Sequence, residues 1–330
     1  MEKNVAVIGS GSWGLALANH IAGKGNNVCV WSFTEHERDL LNNEHRSEYL
    51  KNIEINKKVV CSNDILEVVE NADYIFHVTP SKFSRTTFCS YKDKVGNKPV
   101  VICSKGLEDE SLTTLDKVFK EELPTVRTAV LSGPSFASEV ANHMPTAILL
   151  ASEDNELLKE MSEFLSNETM RIYKSNDVVG VEVGGALKNI LAFCIGVAVG
   201  LKFGTNSQAA LMTRGLAEIS KLGVKMGGKN ETFFGLSGLG DLILTCSSDE
   251  SRNRRAGKLI AKGFSIEETK NEIKATIESI DNIKTAKRLS EKYEVEMPIV
   301  NVANDILFNH LSANEATKRL MTRELKYENE

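Results

Sequence analysis

Lys188 stands inside Gly184-Gly185-Ala186-Leu187-Lys188-Asn189-Ile190-Leu191-Ala192, a stretch otherwise made of apolar and small residues plus one amide. An ammonium buried without a partner is costly, so a lysine here needs a reason. Desolvation lowers a lysine pKa toward the range useful for proton transfer, which makes Lys188 a candidate general acid–base. The bland alternative is a lysine that runs its stem along one helix face and ends in water. Two other stretches bear on the choice. Gly238-Leu239-Gly240-Asp241-Leu242 puts an acid in a glycine-rich turn ahead of an apolar stretch. There it can pair with a buried lysine or simply form the turn. Ser251-Arg252-Asn253-Arg254-Arg255 gathers guanidinium, hydroxyl and amide groups. Arginine grips phosphate bidentately and asparagine adds a neutral donor. The same run also reads as a solvated basic helix start with Ser251 as its cap.

A second constellation opens the chain. Val5-Ala6-Val7-Ile8 reads as a buried parallel strand, followed at once by Gly9-Ser10-Gly11-Ser12-Trp13-Gly14 and a helical pattern over Leu15 to Ala22. In this G-x-G-x-x-G, Gly9 permits the tight turn, Gly11 lets a pyrophosphate approach the backbone, and Gly14 lets helix and strand pack closely. The free N–H groups and positive end of the new helix then hold phosphates, so a dinucleotide site is expected. An acid at the tip of the second strand, Val28-Cys29-Val30-Trp31, would bond a ribose 2′-hydroxyl. Here the tip reads Trp31-Ser32-Phe33-Thr34, with Glu35 and Glu37 a little later. Glu35 is better read as a helix N-terminal charge capped by Thr34, which leaves NAD or NADP open.

These residues need elements to place them. Further buried strands are expected at Tyr74 to Val78, Pro99 to Cys103, Thr128 to Leu131 and, as the last, Ala147 to Ala151, with an excursion and a short strand over Leu50 to Cys61 and a short helix over Asp64 to Val69. Strands separated by helical stretches make an α/β, doubly wound, mainly parallel sheet, which binds ligands beyond the carboxyl ends of its strands. The strand-end loops at 79–83, 104–108 and 132–140 are rich in Ser, Gly, Pro and Lys, as site-lining loops should be. Character changes near Asp177. Val178 to Leu201 reads as a long buried helix, and helical patterns follow at 207–226, 252–262, 266–272, 281–293 and 300–322. We therefore expect a Rossmann-type domain over 1–177 and an all-α domain over 178–330.

Composition narrows the function classes. At 330 residues two domains are the prior, and 42% hydrophobic with 26% charged residues is ordinary for a soluble globular protein. A net charge of −5 argues against nucleic-acid binding but leaves room for a local basic pocket for a small anion. The six cysteines are dispersed with no C-x-x-C pair, so neither a zinc site nor a disulfide framework is suggested, and buried free thiols are expected. No metal is called for. The longest uncharged apolar run, between Lys188 and Lys202, is too short to span a bilayer, and no signal peptide is read before the glycine turn, so no integral membrane segment and a cytoplasmic location are expected. His77 and His143 are the conspicuous histidines; single histidines at strand ends and in loops are more often structural, and His77 lies nearest a site-lining loop.

Seven stretches, in order, resemble one family: GSGSWG at 9–14, SKGLE at 104–108, SGPSFASEV at 132–140, GALKNILA at 185–192, NSQAALMTRGLAEI at 206–219, GLSGLGDLILTC at 235–246 and SRN at 251–253. They are similar to the bacterial NAD(P)-dependent sn-glycerol-3-phosphate dehydrogenases, and the likeness runs from residue 5 to about residue 279. The resemblance implies a Rossmann domain and a C-terminal helical domain like that of 6-phosphogluconate dehydrogenase. It implies reversible reduction of dihydroxyacetone phosphate to sn-glycerol 3-phosphate, the backbone precursor of glycerophospholipids. Carried over position by position, Lys188 matches the proton donor and acceptor. Ser12, Trp13, Lys105, Ala137, Arg252 and Glu278 match cofactor positions, beside Gly9, Gly11 and Gly14 of the turn. Lys105, Gly133, Ser135, Asp241, Ser251, Arg252 and Asn253 match substrate positions, and Asn189 matches another polar residue of the pocket. A homodimer is the candidate assembly.

The chain also departs from that family. An arginine often stands just after the second strand, where this chain has Ser32 or Phe33, so NADP preference does not follow. A usual Val-Glu-Gly is Ile277-Glu278-Ser279 here, and Tyr49 matches a position that sometimes reaches the cofactor. The rival readings are a two-domain dehydrogenase for a hydroxy acid or sugar acid, and a nucleotide-sensing module without catalysis.

Overall fold

The computed structural model describes residues 2–328. Strands form where short β-branched runs are covered on both faces. β1 (Asn4–Ile8), β2 (Asn27–Trp31) and β3 (Val59–Ser62) run parallel, linked by α1 (Ser12–Gly23) and α2 (Glu35–Glu44). α3 (Ile65–Glu70), capped by the Asp64 carboxylate, returns the chain to β4 (Tyr74–His77) on the other side of β1. α4 (Ser84–Tyr91) leads to β5 (Val100–Ile102), and a small hairpin of β6 (Leu107–Glu108) and β7 (Thr113–Thr114) leads to α5 (Leu115–Glu122). β8 (Thr128–Ser132), α6 (Ala137–Ala141), β9 (Thr146–Ala151), α7 (Asn155–Leu165) and β10 (Met170–Ser175) complete this half.

The sheet order is β10-β9-β8-β5-β4-β1-β2-β3, parallel throughout except that β8 and β9 are antiparallel. The strand order reverses at β1, so the crevice beyond the ends of β1 and β4 is the expected ligand position. β1 shows the period of two that a doubly covered strand needs. Val5 and Val7 enter the apolar core shared with α1, while Ala6 and Ile8 enter the opposite core with Phe88 and Phe119.

Two expectations are corrected here. Ala147 to Ala151 is not the last strand, because β10 follows it at the sheet edge. Its Arg171, Tyr173 and Lys174 are exposed, so Met170–Ser175 lacks the continuous apolar run that marks the inner strands. Thr34 does occupy the position before α2 and Glu35 its first turn, but the Thr34 hydroxyl makes no capping bond; Glu37 is buried against Ser47.

The second half is helical. α8 (Val178–Gly200) is its axis, surrounded by α9 (Thr205–Lys225), the short α10 (Asn230–Phe233), a π-helical turn at Leu236–Gly240, α11 (Asp241–Ser247), α12 (Arg252–Ala261), α13 (Ile266–Ile273) and α14 (Glu278–Lys292). The helix expected at 300–322 is two: α15 (Pro298–Phe308) and α16 (Ala313–Met321). A capping box at Ser312 and Glu315 starts the second, and His310, at φ 56°, turns the chain between them. Among the described residues α8 is the one helix long and apolar enough to cross a membrane, yet 83% of its most apolar window is buried inside the protein.

α8 is rooted on both sides. Val178 and Val181 pack into a core of the sheet, and Glu182 accepts hydrogen bonds from the Leu115 and Asp116 amides (3.0 and 3.3 Å) at the start of α5. Burial, with a smaller push from Asp116, raises the Glu182 carboxyl to about 8. Farther along, α8 crosses α12 glycine to glycine. A Cβ on Gly196 would overlap the Arg254 carbonyl oxygen, and one on Gly257 the Phe193 carbonyl oxygen. This crossing sets how the first residues of α12 stand relative to α8. Gly257→Val is expected to cost at least about 1–3 kcal/mol, the usual range for overpacking, read as a lower urea midpoint at unchanged slope.

Candidate active site

The site is assembled at the carboxyl ends of the strands. β1 ends in the glycine turn. Gly9 has φ +127°, and a Cβ there would lie 3.0 Å from the Val78 carbonyl oxygen; one on Gly14 would overlap the Gly9 carbonyl oxygen. Both positions therefore exclude larger residues. Gly11 differs, since a Cβ there would meet nothing within 4 Å. It opens onto free space at the start of α1, and neither a side-chain cap nor an acid occupies that first turn. Open backbone N–H groups facing such space fit the diphosphate of a dinucleotide. Ser12 and Trp13 are half-buried beside it, and the Trp13 indole Nε1 is buried without a partner.

The loop after β5 carries Lys105 and the loop after β8 carries Gly133 and Ser135. The Lys105 ammonium donates to the Gly133 carbonyl oxygen (3.1 Å), which also accepts from the Ser135 hydroxyl (3.1 Å). Ala137 is the first residue of α6, half-buried against the core that includes α1. Gly133, at φ +143°, sits tight against Ile148 of β9, where a Cβ would lie 3.3 Å from its Cγ1.

Lys188 does not snorkel. It is 6% exposed and donates to Asp241 Oδ1 and to the Thr245 hydroxyl (2.7 Å). Asp241 is 1% exposed, and its other oxygen accepts from Lys105 (2.7 Å). One carboxylate thus bridges two ammonium groups, one from a sheet loop and one from α8. The Thr245 hydroxyl donates to the Asp241 carbonyl oxygen (2.6 Å), so it can only accept from Lys188. An ammonium has three N–H groups, so the third is left for a ligand. Burial pushes Lys188 down to about 8; Asp241 opposes this and the nearby Lys105 charge adds to it.

α14 ties the helical pieces together. Asn189 donates to Glu278 (2.6 Å), and Asn253 accepts from the Ser279 amide (2.9 Å). Asn189, next to Lys188 in the chain, and Asn253 in the first turn of α12 are therefore linked through the first two residues of α14. Ser251 is the N-cap of α12, accepting from the Arg254 amide (3.2 Å), so the capping reading of that serine holds. Among the three arginines of 251–255, Arg254 is paired with Asp249 and Arg255 is exposed. Arg252 is half-buried and makes no ion pair or hydrogen bond among the described residues. Arg255 is likewise unpaired among the described residues, so Arg252 is the half-buried one of two guanidiniums without a partner there.

Sequence reasoning missed Thr245. Its signal was present, since Asp241 and Thr245 are four apart and so share a face once 241–247 is helical. The glycine-rich turn expected around Asp241 is instead a π-helical turn running into α11. His77 lies away from ligand chemistry: it is fully buried, bonded to Thr79 (2.7 Å) and Tyr91 (2.9 Å), and pushed down to about 3 by burial. Tyr49 is 51% exposed. The cysteines are all free, with Cys61, Cys103 and Cys246 buried and the other three half-buried.

A glycine-cradled nucleotide crevice facing a helical half that offers a buried, acidified lysine defines a two-domain dehydrogenase of the Rossmann class. The comparisons with known proteins narrow this class. Residues 4–158 match the model of the NAD-dependent glycerol-3-phosphate dehydrogenase N-terminus, and residues 177–318 that of its C-terminus. The chain belongs to the NAD-dependent glycerol-3-phosphate dehydrogenase family. It is 40% identical over 328 residues to the glycerol-3-phosphate dehydrogenase (NAD(P)+) of Agathobacter rectalis, covering 99% of this chain and 98% of that one. It is 42% identical over 328 residues to the enzyme of the same name from Fusobacterium nucleatum, with 98% of each chain covered. The crystal structure of glycerol-3-phosphate dehydrogenase from Coxiella burnetii superposes with a TM-score of 0.95 at 37% identity, covering 98% of this chain and 99% of that one.

Proposed function

We propose that this chain reversibly reduces dihydroxyacetone phosphate to sn-glycerol 3-phosphate with NAD(P)H, feeding glycerophospholipid synthesis. The observation that carries the reading is Lys188: buried, held by Asp241 and Thr245, with one N–H uncommitted.

Gly9, Gly11, Gly14, Ser12 and Trp13 hold the dinucleotide, with Ala137, Lys105, Arg252 and Glu278 along its length. When bound, the nicotinamide supplies the hydride in one direction and accepts it in the other. Charged Lys188 donates its third N–H to the carbonyl oxygen where negative charge develops, and gives that oxygen its proton. In the oxidative direction the neutral amine takes the hydroxyl proton. Asp241 and Thr245 aim the amine. Arg252, Asn253 and Ser251 hold the phosphate and so place the carbonyl, with Lys105, Gly133, Ser135 and Asn189 along the substrate. The division into a 1–177 nucleotide domain and a 178–330 substrate domain belongs to the same reading; largely distinct cores support it, although Val178 and Val181 pack into a sheet core and Leu107 into the helical one. A homodimer, to be checked by mass in solution, and a cytoplasmic location, which six free thiols suit, belong to this reading as well.

Initial rates with dihydroxyacetone phosphate, using NADH and NADPH separately and beside a panel of keto and sugar acids, test the proposal. Turnover confined to a carboxylate substrate would refute it. Arg252→Ala is expected to raise KM for dihydroxyacetone phosphate far more than KM for an unphosphorylated ketone. Charged hydrogen bonds are worth about 1.5–3 kcal/mol, or about 10–150-fold. Equal effects on both ketones would remove Arg252 from the phosphate clamp.

A further inference from the structure

From the end of β2 we infer that the adenosine side of this nucleotide site selects an unphosphorylated ribose, so that NADH is bound in preference to NADPH, and that Phe33 is the position that decides it. The inference rests on the dinucleotide reading of the glycine turn.

In a Rossmann sheet the residues at the tip of the second strand meet the ribose, and a 2′-phosphate there needs a cation. The Gly9 amide donates to the Trp31 carbonyl oxygen (3.2 Å), which sets this tip directly beside the glycine turn. The first residue past β2, Ser32, is 1% exposed and its hydroxyl is fully engaged. It accepts from the Ser10 hydroxyl (2.9 Å) and donates to the Thr34 carbonyl oxygen (3.2 Å). The next residue, Phe33, is 86% exposed and stands edge-on to Trp31 with ring centroids 6.4 Å apart. An apolar ring offers nothing to a phosphate dianion.

Both arginines that follow are already matched, Arg38 with Asp39 (2.9 Å) and Arg46 with Glu44, and the His36 imidazole is bonded to Glu48 (3.4 Å). The start of α2 could favour an anion through its uncapped amides, but Glu35 occupies its first turn. Residues 31–48 hold five carboxylates against two arginines. A phosphate placed there meets net repulsion, whereas a ribose hydroxyl meets none.

The test uses the full chain and measures binding, not turnover. Dissociation constants for NADH and NADPH are read from nicotinamide fluorescence at about 0.05 M and about 0.5 M salt, which brackets weak and strong screening. NADH is expected to bind at least about tenfold more tightly at low salt, with the gap narrowing at high salt as repulsion is screened. Phe33→Arg is expected to shift the NADH-to-NADPH preference toward NADPH by about tenfold or more, since arginine binds phosphate bidentately. Glu35→Gln is expected to shift it the same way by less, and circular dichroism checks that both variants are folded. Equal or tighter NADPH binding by the unaltered chain overturns the inference. So does a preference that neither folded variant moves. Binding of neither nucleotide would instead overturn the dinucleotide reading itself.

Discussion

Lys188→Ala is expected to fold, to bind NADH, and to reduce dihydroxyacetone phosphate about 10²–10⁴-fold more slowly, the usual worth of a positioned acid–base group. The loss should fall on kcat more than on KM, because the contact matters most as charge builds on the oxygen. pH separates this role from a packing role. Burial holds Lys188 near 8 instead of the ordinary 10.5. Reduction uses the charged amine, so its rate should fall as pH rises through about 8. Oxidation uses the neutral amine, so its rate should rise over the same window. Both limbs should vanish in Lys188→Ala. Lys188→Arg keeps the charge but not the titration, and should flatten the limbs while recovering little rate. A variant with near-normal turnover, or one that keeps both limbs, would exclude Lys188 from the proton transfer.

Asp241→Asn is expected to have the largest combined effect on stability and rate. The carboxylate is buried and accepts from Lys105 and Lys188 together. Removing one partner of a buried ion pair typically costs about 3–5 kcal/mol, because the charge left behind is unpaired. Lys188 can escape part of this by losing its proton, which fixes the sign of the pH dependence. Its folded pKa already lies below the unfolded value, so the charged form is the strained one, and the variant should lose more stability at pH 6 than at pH 9 in urea unfolding. The same change removes the group that opposes desolvation, so the falling limb of reduction should move to lower pH. Equal destabilisation at both pH values would show that the carboxylate does not hold the Lys188 charge.

Much of this architecture was readable from residue patterns, for reasons that also explain the misses. β1, β4, β5 and β8 are covered on both faces, so each carries a short, mostly apolar run of buried residues. β10 is an edge with charged residues outward, and no such run marks it. The break at 309–312 depends on a capping box that a periodic apolar pattern passes over. Lys188 was conspicuous among its apolar neighbours, but its own segment left burial and snorkelling equally open. Asp241, 53 residues later, settles the matter through space, and the Lys105 contact spans 136 residues. Thr245 became visible only once Asp241 was seen to begin a helix. The uncommitted state of Arg252 beside its paired neighbour Arg254 could not be read from SRNRR at all.

The shared carboxylate has one more consequence. Lys105 hangs from the sheet, whereas Asp241 and Lys188 ride together on the helical side. Parting the two sides would carry Lys105 away while leaving Asp241 on its first partner. Lys188 would then hold its proton more firmly, because the rival cation that helps expel it has gone. Bringing the sides together again would make that proton easier to give.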